Sequence, residues 1–149
     1  MSAPKQIVIQ KEDAIFRMDA DGNWCNEHGK FEHPKIIRYF NSSIKKDENG
    51  YYVYQSTEDF EEKVYFPYED TALFIVDIVA DSELLFILNT REKVSPDQGR
   101  LFIEQDSLYL ETKDHRIKFS SRAMVKFSKF IKEEEETLFV SFKGKTWPI

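Results

Sequence analysis

The amino-acid sequence predicts an α+β domain: strand-rich, built of mainly antiparallel strands, with two short amphipathic helices. Nine runs of β-branched and aromatic residues alternate with turn-forming clusters along the chain. Two other segments place their apolar residues at helical spacing instead. The 149 residues are 41% hydrophobic and 15% aromatic, enough to bury a core without disulfides or a structural metal.

The strand-like runs are Ala14–Met18, Tyr51–Ser56, Phe60–Phe66, Ala72–Ala80, Leu84–Asn89, Leu101–Glu104, Leu108–Glu111, Arg116–Phe119 and Leu138–Phe142. Turn chemistry separates them at Asp19-Ala20-Asp21-Gly22, Asp47-Glu48-Asn49-Gly50, Pro67-Tyr68-Glu69-Asp70 and Ser95-Pro96-Asp97-Gln98-Gly99. Most of these links are expected to be hairpins. Ala72–Val79 is apolar on both alternating faces except at Asp77, the pattern of a central strand covered on each side.

The first helix is expected from Pro34 to about Lys45, with Ile36, Ile37, Phe40 and Ile44 on one stripe and Pro34 in its first turn. The second follows Ser120-Ser121, either of which can cap it, and carries Met124, Phe127 and Ile131. Its Lys129/Glu133 and Lys132/Glu136 pairs have the poorer orientation, and acids near a helix C-terminus oppose the macrodipole. It is expected to fray near Glu133, within the acidic run Glu133–Glu136, read as a solvated helix end or turn.

An offset of 88 positions aligns Phe31 with Phe119, Ile36 with Met124 and Tyr39 with Phe127, and pairs Tyr51 with Phe139 and Tyr54 with Phe142. Residues 29–56 and 117–144 are thus candidates for a degenerate repeat, two similar subdomains within a single domain spanning 1–149. The alternative is that any two amphipathic helices followed by strands align this well.

Net charge is −6, unevenly distributed: residues 1–112 hold 12 Lys/Arg and 22 Asp/Glu, residues 113–149 hold 9 and 5. An acidic body repels nucleic acid and anionic lipid, so an anionic partner would meet the C-terminal third. Sequence-specific binding to double-stranded DNA is not expected. No apolar run approaches the roughly 20 residues that span a bilayer, so no membrane association is expected either. The single cysteine and the absence of a long apolar N-terminal core point to the cytoplasm.

Cys25, His28 and His33 lie within nine residues and are good zinc ligands by type. Their spacing is not a common paired-ligand pattern and no fourth ligand is evident, so no metal is expected. Glu69 and Asp70 are adjacent acids at a predicted turn, where carboxylates usually bond turn amides. Asp77 interrupts an apolar strand. A buried carboxylate there needs a partner, for which Arg38 or Arg91 is available. Basic residues Lys113, Arg116, Lys118, Arg122, Lys126 and Lys129 gather in the last third near Tyr109 and Phe119, and of these Arg116, Arg122, Lys126 and Lys129 are candidates for binding an anion. No nucleophile elbow, phosphate loop or dinucleotide fingerprint is present.

Asp21-Gly22-Asn23-Trp24, Gly29, Arg38-Tyr39-Phe40, Gly50-Tyr51-Tyr52-Val53, Glu61-Glu62-Lys63-Val64, Glu69-Asp70-Thr71 and Asn89-Thr90-Arg91-Glu92 follow in an order that resembles a bacterial family of uncharacterised domains, a domain of unknown function (DUF). The resemblance covers about residues 16–92. The chain departs from the pattern at Tyr68, where the family tends to carry an apolar residue before the acidic pair, and the C-terminal third matches loosely. The resemblance implies a soluble bacterial protein of mixed α+β structure and supplies no activity, so no catalytic residue is carried over.

The function read from the sequence is a non-catalytic binding or interaction module of the bacterial cytoplasm, without a cofactor, whose partner is a protein or a small anionic ligand. Two alternatives remain open. One is a small hydrolase-type or metal-assisted enzyme using Glu69, Asp70 and Asp77; the other is a nucleotide or nucleic-acid binder using the basic C-terminal face.

Overall fold

The structure, a computed structural model, describes residues 3–149. Two units divide at Ala72 and Leu73, and each has its own sheets. The α+β class stands: two short helices accompany mostly antiparallel strands, the parallel exceptions being one pairing in each unit.

The first unit runs β1 (Lys5–Ile9), β2 (Arg17–Met18), β3 (Trp24–Asn26), β4 (Gly29–Lys30), α1 (Pro34–Ser42), β5 (Ile44–Asp47), β6 (Gly50–Ser56) and β7 (Phe60–Tyr65). Its main sheet has the order β1-β7-β6-β5, and β2-β3-β4 form a small second sheet. β1 was not among the expected strands. Its Ile7-Val8-Ile9 triplet is short, yet it aligns in parallel with β7, Ile9 opposite Val64.

His33 caps α1, its Nδ1 accepting the Lys35 N–H at 3.3 Å, and Pro34 occupies the first turn. The helix ends at Ser42, short of Lys45, because Ile44 pairs with Val53 and is buried as the first residue of β5. The β5–β6 turn closes on Gly50, whose φ of +121° is a conformation that L side chains rarely adopt.

Asp47 fastens that turn to β7. Its Oδ2 accepts the Tyr65 hydroxyl at 2.6 Å and Lys63 Nζ at 3.3 Å, and its Oδ1 accepts the Asn49 N–H at 2.9 Å. The Tyr65 hydrogen bond, with those from Asn49 and Lys63, holds the Asp47 carboxyl below its usual range. The same bond to Asp47 pushes the Tyr65 phenol up. A depressed carboxyl contributes stability above its unfolded pKa and loses it as pH falls through the folded one. Tyr65→Phe should therefore destabilise the protein at neutral pH, with the difference from wild type shrinking once pH drops below about 4. Urea unfolding at a series of pH values checks this; a difference that does not change with pH would contradict it.

The second unit runs β8 (Leu73–Ala80), β9 (Leu84–Leu88), β10 (Lys93–Val94), β11 (Gly99–Glu104), β12 (Ser107–Thr112), β13 (Arg116–Phe119), α2 (Ser121–Phe127), β14 (Ile131–Glu134), β15 (Thr137–Phe142) and β16 (Lys145–Pro148). The six-stranded sheet has the order β10-β9-β8-β13-β12-β11, with β14-β15-β16 beside it in a sheet of their own. β8 is central, as its apolar pattern predicts, but it is covered on both faces only in its first half. Leu73, Phe74 and Ile75 are buried, whereas Asp77, Val79 and Ala80 are exposed.

Ser120 caps α2 by accepting the Ala123 N–H at 3.1 Å, and the helix buries Ala123 and Phe127. The Phe127 ring lies 5.4 Å from Phe86 and 4.9 Å from Phe119. The expected fraying at Glu133 is corrected: α2 ends at Phe127, one turn of 3-10 helix follows at Ser128–Phe130, and Ile131–Glu134 is a strand. Ile131 pairs with Val140, and Glu135 and Glu136 form the tight turn with φ of 51° and 66°. Two of the four turn clusters also differ from the hairpin expectation. Pro67–Asp70 joins strands of different sheets, and Ser95–Gly99 contains a 3-10 turn linking strands at opposite edges of one sheet.

Both residues 29–56 and residues 117–144 run strand, helix, strand, strand. Gly99 lies where β11 meets β12: its backbone is extended, but a Cβ would run into the Glu111 carbonyl oxygen. Gly99→Ala is expected to cost about 1–3 kcal/mol through this overpacking. The urea midpoint reads it, and an unchanged midpoint would mean that the two strands separate freely.

Candidate functional site

A pocket of about 340 Å³ opens within the first unit. Strand periodicity puts Ile9 of β1, Gln55 of β6, and Glu62 and Val64 of β7 toward it. Phe31, just before α1, and Phe40 on that helix supply aromatic wall, and Ile15 and Phe16 close it from the segment before β2. Its polar side chains are Asp13, Asn26, Gln55 and Glu62.

An aromatic cluster fixes the walls. Phe40 lies 5.0 Å from Phe16, 5.3 Å from Trp24 and 5.2 Å from Phe31, all edge-on. Trp24 is 1% exposed, and its Nε1 donates to Asn41 Oδ1 at 2.8 Å, tying β3 to α1. Edge-to-face contacts at these separations add specific geometry to plain burial. The polar groups are also held: Gln55 Nε2 donates to Glu62 Oε1 at 2.5 Å, and Asn26 Oδ1 accepts the His28 N–H at 2.9 Å. Among the described residues, neither Asp13 nor Glu62 has a basic side chain within ion-pair distance.

The residues singled out in the sequence fall elsewhere. Cys25 is buried, its Sγ within 3.9 Å of Asp19 Oδ2. His28 is exposed beside Glu27 at 3.3 Å, and His33 is the α1 cap. Among the described residues, no group of three or more His, Cys, Asp or Glu side chains could hold a metal ion. Glu69 accepts the N–H of Ala20, in the turn at 19–22, at 3.2 Å, and Asp70 beside it is partly buried.

Asp77 is corrected from a buried to an exposed carboxylate. A register shift between Ile75 and Asp77 marks a bulge in β8, which changes which way its side chains point. The partner is neither Arg38 nor Arg91 but Lys126 of α2, at 3.0 Å. That hydrogen bond holds the Asp77 carboxyl below its usual range, helped by the Ile78 N–H.

The anion-binding candidates are thus partly engaged. Lys126 is on Asp77, and Arg116 reaches Glu104 at 2.6 Å with its guanidinium 4.2 Å from the Tyr109 ring. Lys129 lies 5.2 Å from the Phe130 ring, and Arg122 is exposed one helical turn before Lys126.

Sequence reasoning missed the pocket. Its residues come from separate segments between Ile9 and Val64, and no motif joins them. The Ile7-Val8-Ile9 triplet was the one signal that could have placed its edge strand. Among the described residues, no helix is long and apolar enough to cross a membrane.

No family model matches the chain. No curated protein matches it either. Solved structures do. One is a DUF1285 family protein from Silicibacter pomeroyi DSS-3, with a TM-score of 0.65 at 16% identity over 99% of this chain and 83% of that one. Another is a DUF1285 family protein from Shewanella baltica OS155, with a TM-score of 0.52 at 20% identity over 80% of this chain and 94% of that one. At such identity the likeness is one of fold. It agrees with the resemblance to an uncharacterised bacterial domain family, and it brings no activity with it.

Proposed function

We propose, from a fold shared with DUF1285 family proteins, that the chain is a non-catalytic binding module of the bacterial cytoplasm and that its ligand occupies the pocket of the first unit. The observation that carries this reading is the pocket itself: about 340 Å³, within the range of about 300–1,000 Å³ usual for small-molecule sites, with apolar walls and a few polar groups. The carboxylates weighed for catalysis support it indirectly, because Glu69 serves a turn amide and Asp77 an ion pair with Lys126. Residues 29–56 and 117–144 are read in the same way, as one strand–helix–hairpin unit used twice, on the strength of their matching element order.

A thermal-shift screen of small cationic, neutral and anionic amphipathic compounds tests the reading. Ile15 lines the pocket yet is 84% exposed, so Ile15→Ser should weaken any ligand found there while leaving folding intact. A saturable ligand that loses affinity in this variant supports the module. A screen in which no compound raises the melting temperature, or a ligand indifferent to Ile15→Ser, overturns it.

A further inference from the structure

We propose that the pocket of the first unit recognises a small organic cation, an ammonium or guanidinium group carried on an apolar body; this rests on the reading of that pocket as the ligand site. The charge of the lining is one-sided. Among the described residues, Asp13 and Glu62 are its only ionisable side chains, so the described walls present negative charge and none of the opposite sign. An anion entering would meet like charge with no compensating donor from Lys or Arg. A neutral apolar molecule would fill the walls and leave both carboxylates without a counter-charge.

A cation answers both demands. Carboxylates beside apolar walls interact with an opposite charge more strongly than in bulk water, because the local dielectric is lower. Glu62 is presented for this role by the 2.5 Å hydrogen bond from Gln55, which occupies Oε1 and leaves Oε2 to a ligand. Asp13 stands at the end of the 3-10 turn Lys11–Asp13 and is exposed, at the mouth. The remaining walls suit the body of such a molecule. Phe16, Phe31 and Phe40 line it with aromatic surface, which suits an organic cation as well as hydrocarbon, and Ile9 and Val64 offer aliphatic surface. The size of the pocket restricts the occupant to a small molecule.

The experiment is calorimetric titration of the full chain with three probes of similar shape: phenethylamine, phenethyl alcohol and hydrocinnamate. Phenethylamine is expected to bind at least about tenfold more tightly than the alcohol, the step that one well-placed charge contact of about 1.4 kcal/mol supplies. Hydrocinnamate should bind most weakly. Glu62→Gln should reduce amine affinity about tenfold and leave the alcohol unchanged, and raising salt should weaken the amine alone. Asp13→Asn, at an exposed position, is a second variant should Glu62→Gln unfold the chain. Alcohol or hydrocinnamate binding as tightly as the amine, or an amine affinity unmoved by both substitutions, overturns the cation reading while leaving the pocket as a ligand site. Failure of all three probes alongside an empty thermal-shift screen removes both.

Discussion

Phe74→Ala is expected to destabilise the protein by about 3–5 kcal/mol, the usual range for truncating a buried aromatic side chain. Phe74 is 2% exposed and sits on β8, which has neighbours on both sides, β9 and β13. Its backbone is fixed at both ends, since its N–H donates to Asn89 Oδ1 at 3.1 Å and its carbonyl accepts the Asn89 N–H at 2.9 Å. A strand held in this way cannot slide to fill the space left by the ring, so the cavity term adds to the lost transfer energy. Against a total stability of about 5–15 kcal/mol for an ordinary domain, the loss is a large share. Urea denaturation of the variant checks it, and a change below about 1 kcal/mol would mean that the ring contributes no buried area.

Trp24→Ala is expected to cost a comparable amount, about 3–5 kcal/mol, and to open the pocket as well. The indole packs at 4.8 Å from Phe66, 5.3 Å from Phe40 and 5.6 Å from Phe16, so its removal leaves three rings without their common neighbour. Trp24→Phe separates two contributions. It keeps much of the apolar volume but loses the bond from Nε1 to Asn41, which should cost about 0.5–1.5 kcal/mol plus the penalty of a smaller ring. If the two variants were equally unstable, the hydrogen bond and not the packing would hold β3 against α1.

The parts of the fold that could be read in the sequence are those whose identity is local. β6, β9 and β15 are runs rich in β-branched, aromatic or large aliphatic residues bounded by turns, and α1 and α2 begin at a proline and a serine cap. What could not be read depends on a distant partner. Lys132, Glu133 and Glu134 have no intrinsic preference for a strand; they form one because Thr137–Val140 lies opposite. Ile44 left the helical stripe for the same reason, drawn into register with Val53. At Asp77 one extra residue in β8 changes where the carboxylate points, and no residue in the apolar run marks that bulge. The pocket was the least legible of all, since Asp13, Gln55 and Glu62 come to line one cavity only when β7 is flanked by β1 and β6.

The strand that replaced the expected helix end also bears on how the protein behaves in company. β14 is an outer strand of its three-stranded sheet, where backbone groups along one side offer themselves to any passing extended chain. Such borders are where one molecule can template another and where aggregation begins. Here the border carries Lys132, Glu133 and Glu134, all exposed, and it turns through two further glutamates at left-handed φ. A second copy added in parallel register would set Lys132 against Lys132, Glu133 against Glu133 and Glu134 against Glu134. Charged side chains along an outer strand weigh against growth of an open-sided sheet into a fibre, and this border carries three of them in succession.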